Sequence, residues 1–377
     1  MLFIPFSPTS VLAPMTCLVV LLAGVDLGAA ESADAALATP EAIHQLMVRV
    51  NDWQTAHPYQ KPERDCDWIR GTWYTGVMAA YRATGDKRFL DQGMAWGRAK
   101  EFKVGYEVPG SNRLFPTDAW CEVAMATGDK TLVDKVVTEL NTPKPNTPAT
   151  SKVWYLEGGV RYADSLFGMP VLAKLTTITG DRKYLEWMDV CFRDVAQELW
   201  DPQEHFFYRD KHFIGKTTAN GKKVIWARGN GWVYAALARI LEVLPADDQL
   251  RPWYVEMFKQ HSAFIAATQP VDGLWRPNMV DPLVFPEPET SGTGFFCFGL
   301  VWGINNGVLD RAIYEPVARK AWAGLVANMS PDGKVCYGQL ESDRPAAVKR
   351  DHSQEYVTGA FLLAASEVYK LAGGQKK

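Results

Sequence analysis

The chain has 377 residues, 47% hydrophobic and 12% aromatic, enough to bury a sizeable core, and its 22% of charged residues excludes a mainly disordered polymer. A formal net charge of −3 without any basic stripe argues against nucleic acid as a partner.

The first thirty residues differ in kind from the rest. Residues 11–23 are apolar apart from Thr16, and Gly28, Ala29 and Ala30 offer small side chains for a signal-peptidase cut. This predicts a signal peptide over 1–30 and a periplasmic or secreted protein, although no Lys or Arg precedes Arg49. Pro14 and Asp26 disfavour a stable membrane span. Five cysteines then remain, without metal-type or paired spacing, and Cys121, Cys191 and Cys297 read as small core residues.

From residue 41 onward apolar side chains recur at three- and four-residue intervals, the signature of helices. Three triplets, Thr84-Gly85-Asp86, Thr127-Gly128-Asp129 and Thr179-Gly180-Asp181, each end one such stretch and open the next. Gly accepts the left-handed conformation that stops a helix, and Asp accepts hydrogen bonds from the free N–H groups of the following one. The triplets lie 43 and 52 residues apart, at or just beyond the upper end of two-helix repeats. Downstream, 244–248 separates apolar runs 231–244 and 253–267, and Asn305-Asn306-Gly307 separates 294–304 from 312–329. Segments 41–56 and 355–371 are left unpaired at the two ends. If they pack together, the five joints imply twelve helices in six pairs. A closed ring buries the end faces that an open solenoid would cap with polar residues, and no such caps occur. The Thr/Pro-rich stretch 141–151 is a loop, because the hairpin period runs across it, so one domain is expected over 31–377.

The connections opposite the short joints are long, near 57–66, 103–117, 141–157, 200–227, 269–290 and 330–352. One rim therefore carries the irregular chain, and the helices that begin there point their positive ends at a common opening. Two carboxylates stand out on that side. Asp118 opens a helix, where capping and catalysis are both available readings. Asp164, placed one or two turns into the next inner helix, has no capping role, and burial against a partner or ligand is expected. If the two were close, repulsion and desolvation would raise one pKa and leave a neutral acid. In Trp226-Ala227-Arg228-Gly229-Asn230-Gly231-Trp232, two indoles bracket a guanidinium and an amide, suited to stacking on a sugar and pairing with its carboxylate, or else to fastening a loop. Ser291 and Thr293 sit at another helix start, compatible with an anionic group or with a purely structural role. The six histidines include no zinc-type pair, and neither a phosphate loop nor a Gly-x-Ser-x-Gly elbow occurs, so no metal or organic cofactor is expected.

These residues, with Asp67-Trp68, 76–86, Asp164 to Pro170, 226–232, Leu274 to Pro277 and Glu289 to Phe296, resemble the unsaturated glucuronyl and rhamnogalacturonyl hydrolases of glycoside hydrolase families 88 and 105, more closely the latter. The resemblance covers roughly 40–372 and implies an all-α (α/α)6 barrel of six helical hairpins. It also implies a substrate with a 4,5-unsaturated uronic acid at the non-reducing end of a lyase-generated oligosaccharide. In that family a proton is added at C4 and water at C5 of the vinyl ether, and the hemiketal collapses. The family's general acid/base maps to Asp164 and its second carboxylate, less closely, to Asp118. Trp226, Arg228, Asn230 and Trp232 would hold the sugar, with Trp73 stacking on it. Where many members carry a His near the substrate, this chain has Arg209, which pairs with a carboxylate but does not titrate as imidazole does. The rival readings are a conventional inverting glycosidase, which needs carboxyl groups about 6.5–9.5 Å apart, a sugar 2-epimerase, and a noncatalytic sugar-binding protein. The sequence carries no signal for oligomeric state.

Overall fold

The computed structural model describes residues 39–58, 65–105, 111–142 and 160–375. The expected signal peptide and most of the 141–157 loop lie outside the described residues. Twelve α-helices occur among them: α1 (Pro40–Ala56), α2 (Trp68–Thr84), α3 (Lys87–Ala99), α4 (Phe115–Thr127), α5 (Asp134–Asn141), α6 (Pro170–Thr179), α7 (Lys183–Leu199), α8 (Ala227–Val243), α9 (Arg251–Ala267), α10 (Thr290–Asn305), α11 (Arg311–Ala327) and α12 (Glu355–Leu371). The even-numbered helices pack neighbour to neighbour, α2 on α4, α4 on α6, and on through α8 and α10 to α12, which packs back on α2. Odd-numbered helices form an outer layer, and α1 pairs with α12 as the sixth hairpin. This is the closed (α/α)6 barrel. None of the described helices is long and apolar enough to cross a membrane.

Every residue of the Thr-Gly-Asp joints has a visible task. Gly85, Gly128 and Gly180 adopt φ of 75°, 75° and 79°. The Asp side chains accept from the N–H groups of Arg88, Thr131 and Lys183. Each Thr hydroxyl bonds back to the carbonyl four residues earlier and accepts from the N–H of the Asp. A Cβ at Gly128 would touch nothing within 4 Å, so Gly128→Ala isolates the backbone cost of the left-handed conformation. A loss of about 1–2 kcal/mol in denaturant unfolding is expected.

Ring closure depends on a different use of glycine. Gly76 on α2 and Gly359 on α12 face each other so closely that a Cβ on Gly359 would fall 2.2 Å from the Thr72 carbonyl oxygen. At the pocket end of this seam, Arg70 grips Glu355 through two bonds of 3.0 and 2.6 Å. Thr358 donates to Gln54 at 2.8 Å and ties in α1. The core is rich in fully buried indoles, Trp120, Trp275, Trp302 and Trp322 among them, each hiding on the order of 200 Å². Cys66, Cys121, Cys191, Cys297 and Cys336 are all buried, and no disulfide links any two of them.

One local expectation is corrected. Asp164 does not lie within an α-helix but in a 3₁₀ turn, Ala163–Gly168, that precedes α6. Pro170 is the cause: it has no N–H to donate to Leu166, whose carbonyl is taken by Met169 N instead, and the α-helix starts afresh at the proline.

Candidate active site

A cavity of about 390 Å³ opens on the long-loop rim, lined by Trp68, Asn112, Phe115, Asp164, Arg209, Trp226, Arg228, Trp232, Glu341, Ser342 and Asp343. That size suits a sugar. The N-terminal ends of α2, α4 and α8 converge on it. Asp67 caps α2 by accepting from Ile69 N and Arg70 N, which fixes Trp68 at the lip. Trp68 stacks on Tyr356 with centroids 5.4 Å apart and meets Trp232 edge-on at 6.0 Å.

Asp164 points into this space with 23% of its side chain exposed. Its Oδ1 makes no hydrogen bond among the described residues and lies 3.5 Å from Arg209 Nε. Burial pushes the carboxyl pKa up, Arg209 and Arg228 pull it down, and the net shift is upward. Arg209 is itself oriented: Nη1 donates to Asp210 at 2.9 Å, and the guanidinium lies 4.1 Å over the Tyr162 ring.

Arg228 lines the cavity and also fastens a loop. Its Nη1 donates to Gln339 O and Tyr356 Oη, and its Nη2 to the carbonyls of Leu340 and Ser342. These bonds hold 339–343 as a strap along one wall. Gln339 is saturated: Trp226 Nε1 donates to its Oε1 at 2.9 Å, its N–H donates to Glu289, its Nε2 donates to Arg344 O, and Tyr356 Oη donates to its carbonyl.

The remaining sequence-selected residues lie elsewhere. Asn230 does not line the cavity; its amide clamps Phe207 through bonds of 2.8 and 3.1 Å and meets His261 at 3.1 Å. Burial pushes the His261 pKa down to about 3 and keeps it neutral. Trp73 is a core residue whose indole donates to Asn51 Oδ1. Ser291 and Thr293 are fully buried. The anion expected at their helix start is the chain's own Glu289 carboxylate, which accepts from Ser291 N, Ser291 Oγ and Gly292 N. Asp118 does not share the opening. It lies within the barrel, accepting from Lys174 Nζ at 2.6 Å and paired with Arg239 Nη2 at 2.5 Å. Burial alone would raise its pKa, but Arg239 and Lys174 hold the carboxyl well below the usual range. Two cations reached from distant helices explain the difference from a cap or a neutral acid.

Sequence reasoning named Trp68 only within the Asp67-Trp68 stretch that carries the family resemblance, without a role, and did not single out Asn112, Phe115 or the strap. Phe115 stands beside a helix-starting proline, which is a usable signal; the strap has none. Among the described residues no group of three or more His, Cys, Asp or Glu side chains is placed to hold a metal.

Residues 42–372 match the model of Glycosyl Hydrolase Family 88. The chain belongs to that family. A relative, the "unsaturated 3S-rhamnoglycuronyl hydrolase" of Formosa agariphila, is 33% identical over 87% of this chain and 91% of its own length. The solved family 88 hydrolase from Bacteroides vulgatus superimposes with a TM-score of 0.79 at 29% identity, covering 88% of this chain and 99% of that one. A solved protein described as a polysaccharide lyase is similar too, with a TM-score of 0.78 and 30% identity over 90% of this chain and 99% of its own. Membership makes this protein a glycoside hydrolase.

Proposed function

We propose that the protein removes a 4,5-unsaturated uronic acid from the non-reducing end of lyase-generated oligosaccharides by hydrating its vinyl ether, with Asp164 as general acid and base. The observation that carries this reading is a partly buried carboxyl of raised pKa, aimed into a sugar-sized cavity beside an arginine. Protonated, Asp164 delivers its proton to C4; ionised, it draws a proton from the water that attacks C5. Arg209 is the receptor for the uronate carboxylate. Trp68, Trp226 and Trp232 provide the apolar walls against which the ring lies, and the strap contacts the neighbouring sugar. Asp118, with its charge fixed by two cations, serves structure in this scheme and not proton transfer, so the pairing of Asp118 with Asp164 in an inverting mechanism is not favoured. The names of the relatives favour a rhamnose-linked substrate, and the closer resemblance to family 105 is part of the same proposal. So is a periplasmic or secreted setting, which rests on the apolar segment 11–23.

The test is optical. Lyase-generated rhamnogalacturonan, ulvan and glycosaminoglycan fragments are each mixed with the enzyme while the ultraviolet absorbance of the conjugated double bond is followed. Loss of absorbance with at least one substrate is expected. A rise with intact polysaccharide would mean a lyase instead, since elimination creates the chromophore that hydration destroys.

Arg209→Met separates two duties of that arginine. Its positive charge lowers the Asp164 pKa, so removing it raises that pKa further, and the alkaline limb of the kcat profile moves to higher pH. KM rises at the same time, by about 10–100-fold for a lost charge-assisted bond. An unmoved limb would detach Arg209 from the acid.

A further inference from the structure

Among the described residues, three carboxylates and three cations form one network within the barrel. Besides the Asp118 contacts, Lys174 pairs with Glu122 at 2.5 Å, and Arg82 bridges Glu122 at 3.3 Å and Glu242 at 2.7 Å. Buried charge networks of this kind are no more stable than well-packed apolar side chains would be. Arg239 links this network to the catalytic turn. Its Nη1 donates to the carbonyl of Phe167 at 3.1 Å, while its guanidinium lies 4.5 Å over the Phe167 ring.

Phe167 and Asp164 belong to the same 3₁₀ turn. The turn is tied at its start by Ala163 N donating to Arg209 O and Ser165 Oγ donating to Tyr162 O, and among the described residues no side chain caps its N–H groups. Arg239 provides the hold at the other end. The ring of Phe167 reaches the cavity walls as well, with centroids 5.0 Å from Phe115 and 4.7 Å from Trp232. We infer that Arg239, oriented by Asp118, is a positioning residue that sets the turn from which Asp164 is aimed at the reacting sugar. The inference rests on the proposed role of Asp164. Its physical content is that a small displacement of a catalytic group is costly: about 1 Å can cost 10² in rate.

The test compares Arg239→Met, Arg239→Lys, Asp118→Asn and Glu242→Gln in the full chain, reading kcat, KM, the pH profile of kcat and Tm on one substrate the parent turns over. Arg239→Met is expected to lose about 10–100-fold in kcat with KM within about threefold, and to shift the alkaline limb. Arg239→Lys keeps the charge but cannot serve Asp118 and the Phe167 carbonyl together, so it recovers only part of kcat. Asp118→Asn leaves Arg239 in place without the charge that orients it. A smaller kcat loss at unchanged KM follows, and this variant carries the test if Arg239→Met does not fold. Glu242→Gln breaks the far end of the network, lowering Tm while kcat stays at the parent value. Unchanged kcat in folded Arg239→Met or in Asp118→Asn would overturn the inference. So would an equal kcat loss in Glu242→Gln, which would point to general loosening. A parent inert on every unsaturated uronyl substrate would sink the functional reading instead, a separate result.

Discussion

Replacing Asp164 by Asn is expected to slow the loss of conjugated absorbance by on the order of 10²–10⁴-fold, the usual worth of general acid–base assistance. The side-chain shape is nearly conserved by this change. What disappears is a carboxyl that holds its proton to higher pH than an ordinary aspartic acid, because the site is partly closed to water. The same substitution makes a stability prediction of opposite sense. An acid whose folded pKa is raised is fully tolerated below its unfolded pKa and becomes a burden as pH rises through the folded value. Asn never takes that charge. Thermal unfolding should therefore find Asp164→Asn at least as stable as the parent at neutral pH, with the difference fading in acid. A dead variant that is more stable is the pattern expected of a group kept for chemistry. Retained turnover would remove Asp164 from the mechanism.

The largest effect on folding is expected at the seam between α2 and α12. Any side chain at Gly359 meets the Thr72 carbonyl and the Trp73 backbone, and backbone cannot rotate aside as a flexible side chain can. Gly359→Val should cost about 3 kcal/mol or more, at the upper end of overpacking penalties, seen as a large drop in Tm or as insoluble chain. Gly128→Ala is the matched control, since it adds a methyl group where nothing is met. Comparable small losses in both would show that α2 and α12 can part without harm.

The scaffold was legible because its punctuation is local. In each Thr-Gly-Asp joint the turn, the cap and the hydroxyl bond all lie within a few residues, so the sequence reveals them without knowledge of the rest. Asp164 stood out for a similar reason: an acid among apolar neighbours needs a partner or a purpose. Asp118 did not declare its surroundings, because Lys174 and Arg239 come from α6 and α8. Its resemblance to a helix-opening Asp concealed a residue of the barrel interior. The Ser291 and Thr293 site failed differently. Glu289 stood two residues ahead, and a carboxylate in that position caps the helix and satisfies the N–H groups that a ligand would need. The strap was invisible because backbone carbonyls hold it to Arg228, and carbonyls leave no mark in a sequence.

The order in which the ring closes has a consequence for folding. Trp68 belongs to the first inner helix, whereas Tyr356, on which it stacks, and the strap that Arg228 grips come from its last stretches. Until α12 docks, then, the ring is open with two unpaired inner edges, and the cavity lacks a wall. Only when α12 docks on α2 are those edges covered and the wall supplied. A chain without a docked α12 thus has an unfinished cavity and two exposed apolar edges, and its folding depends on capture of that helix.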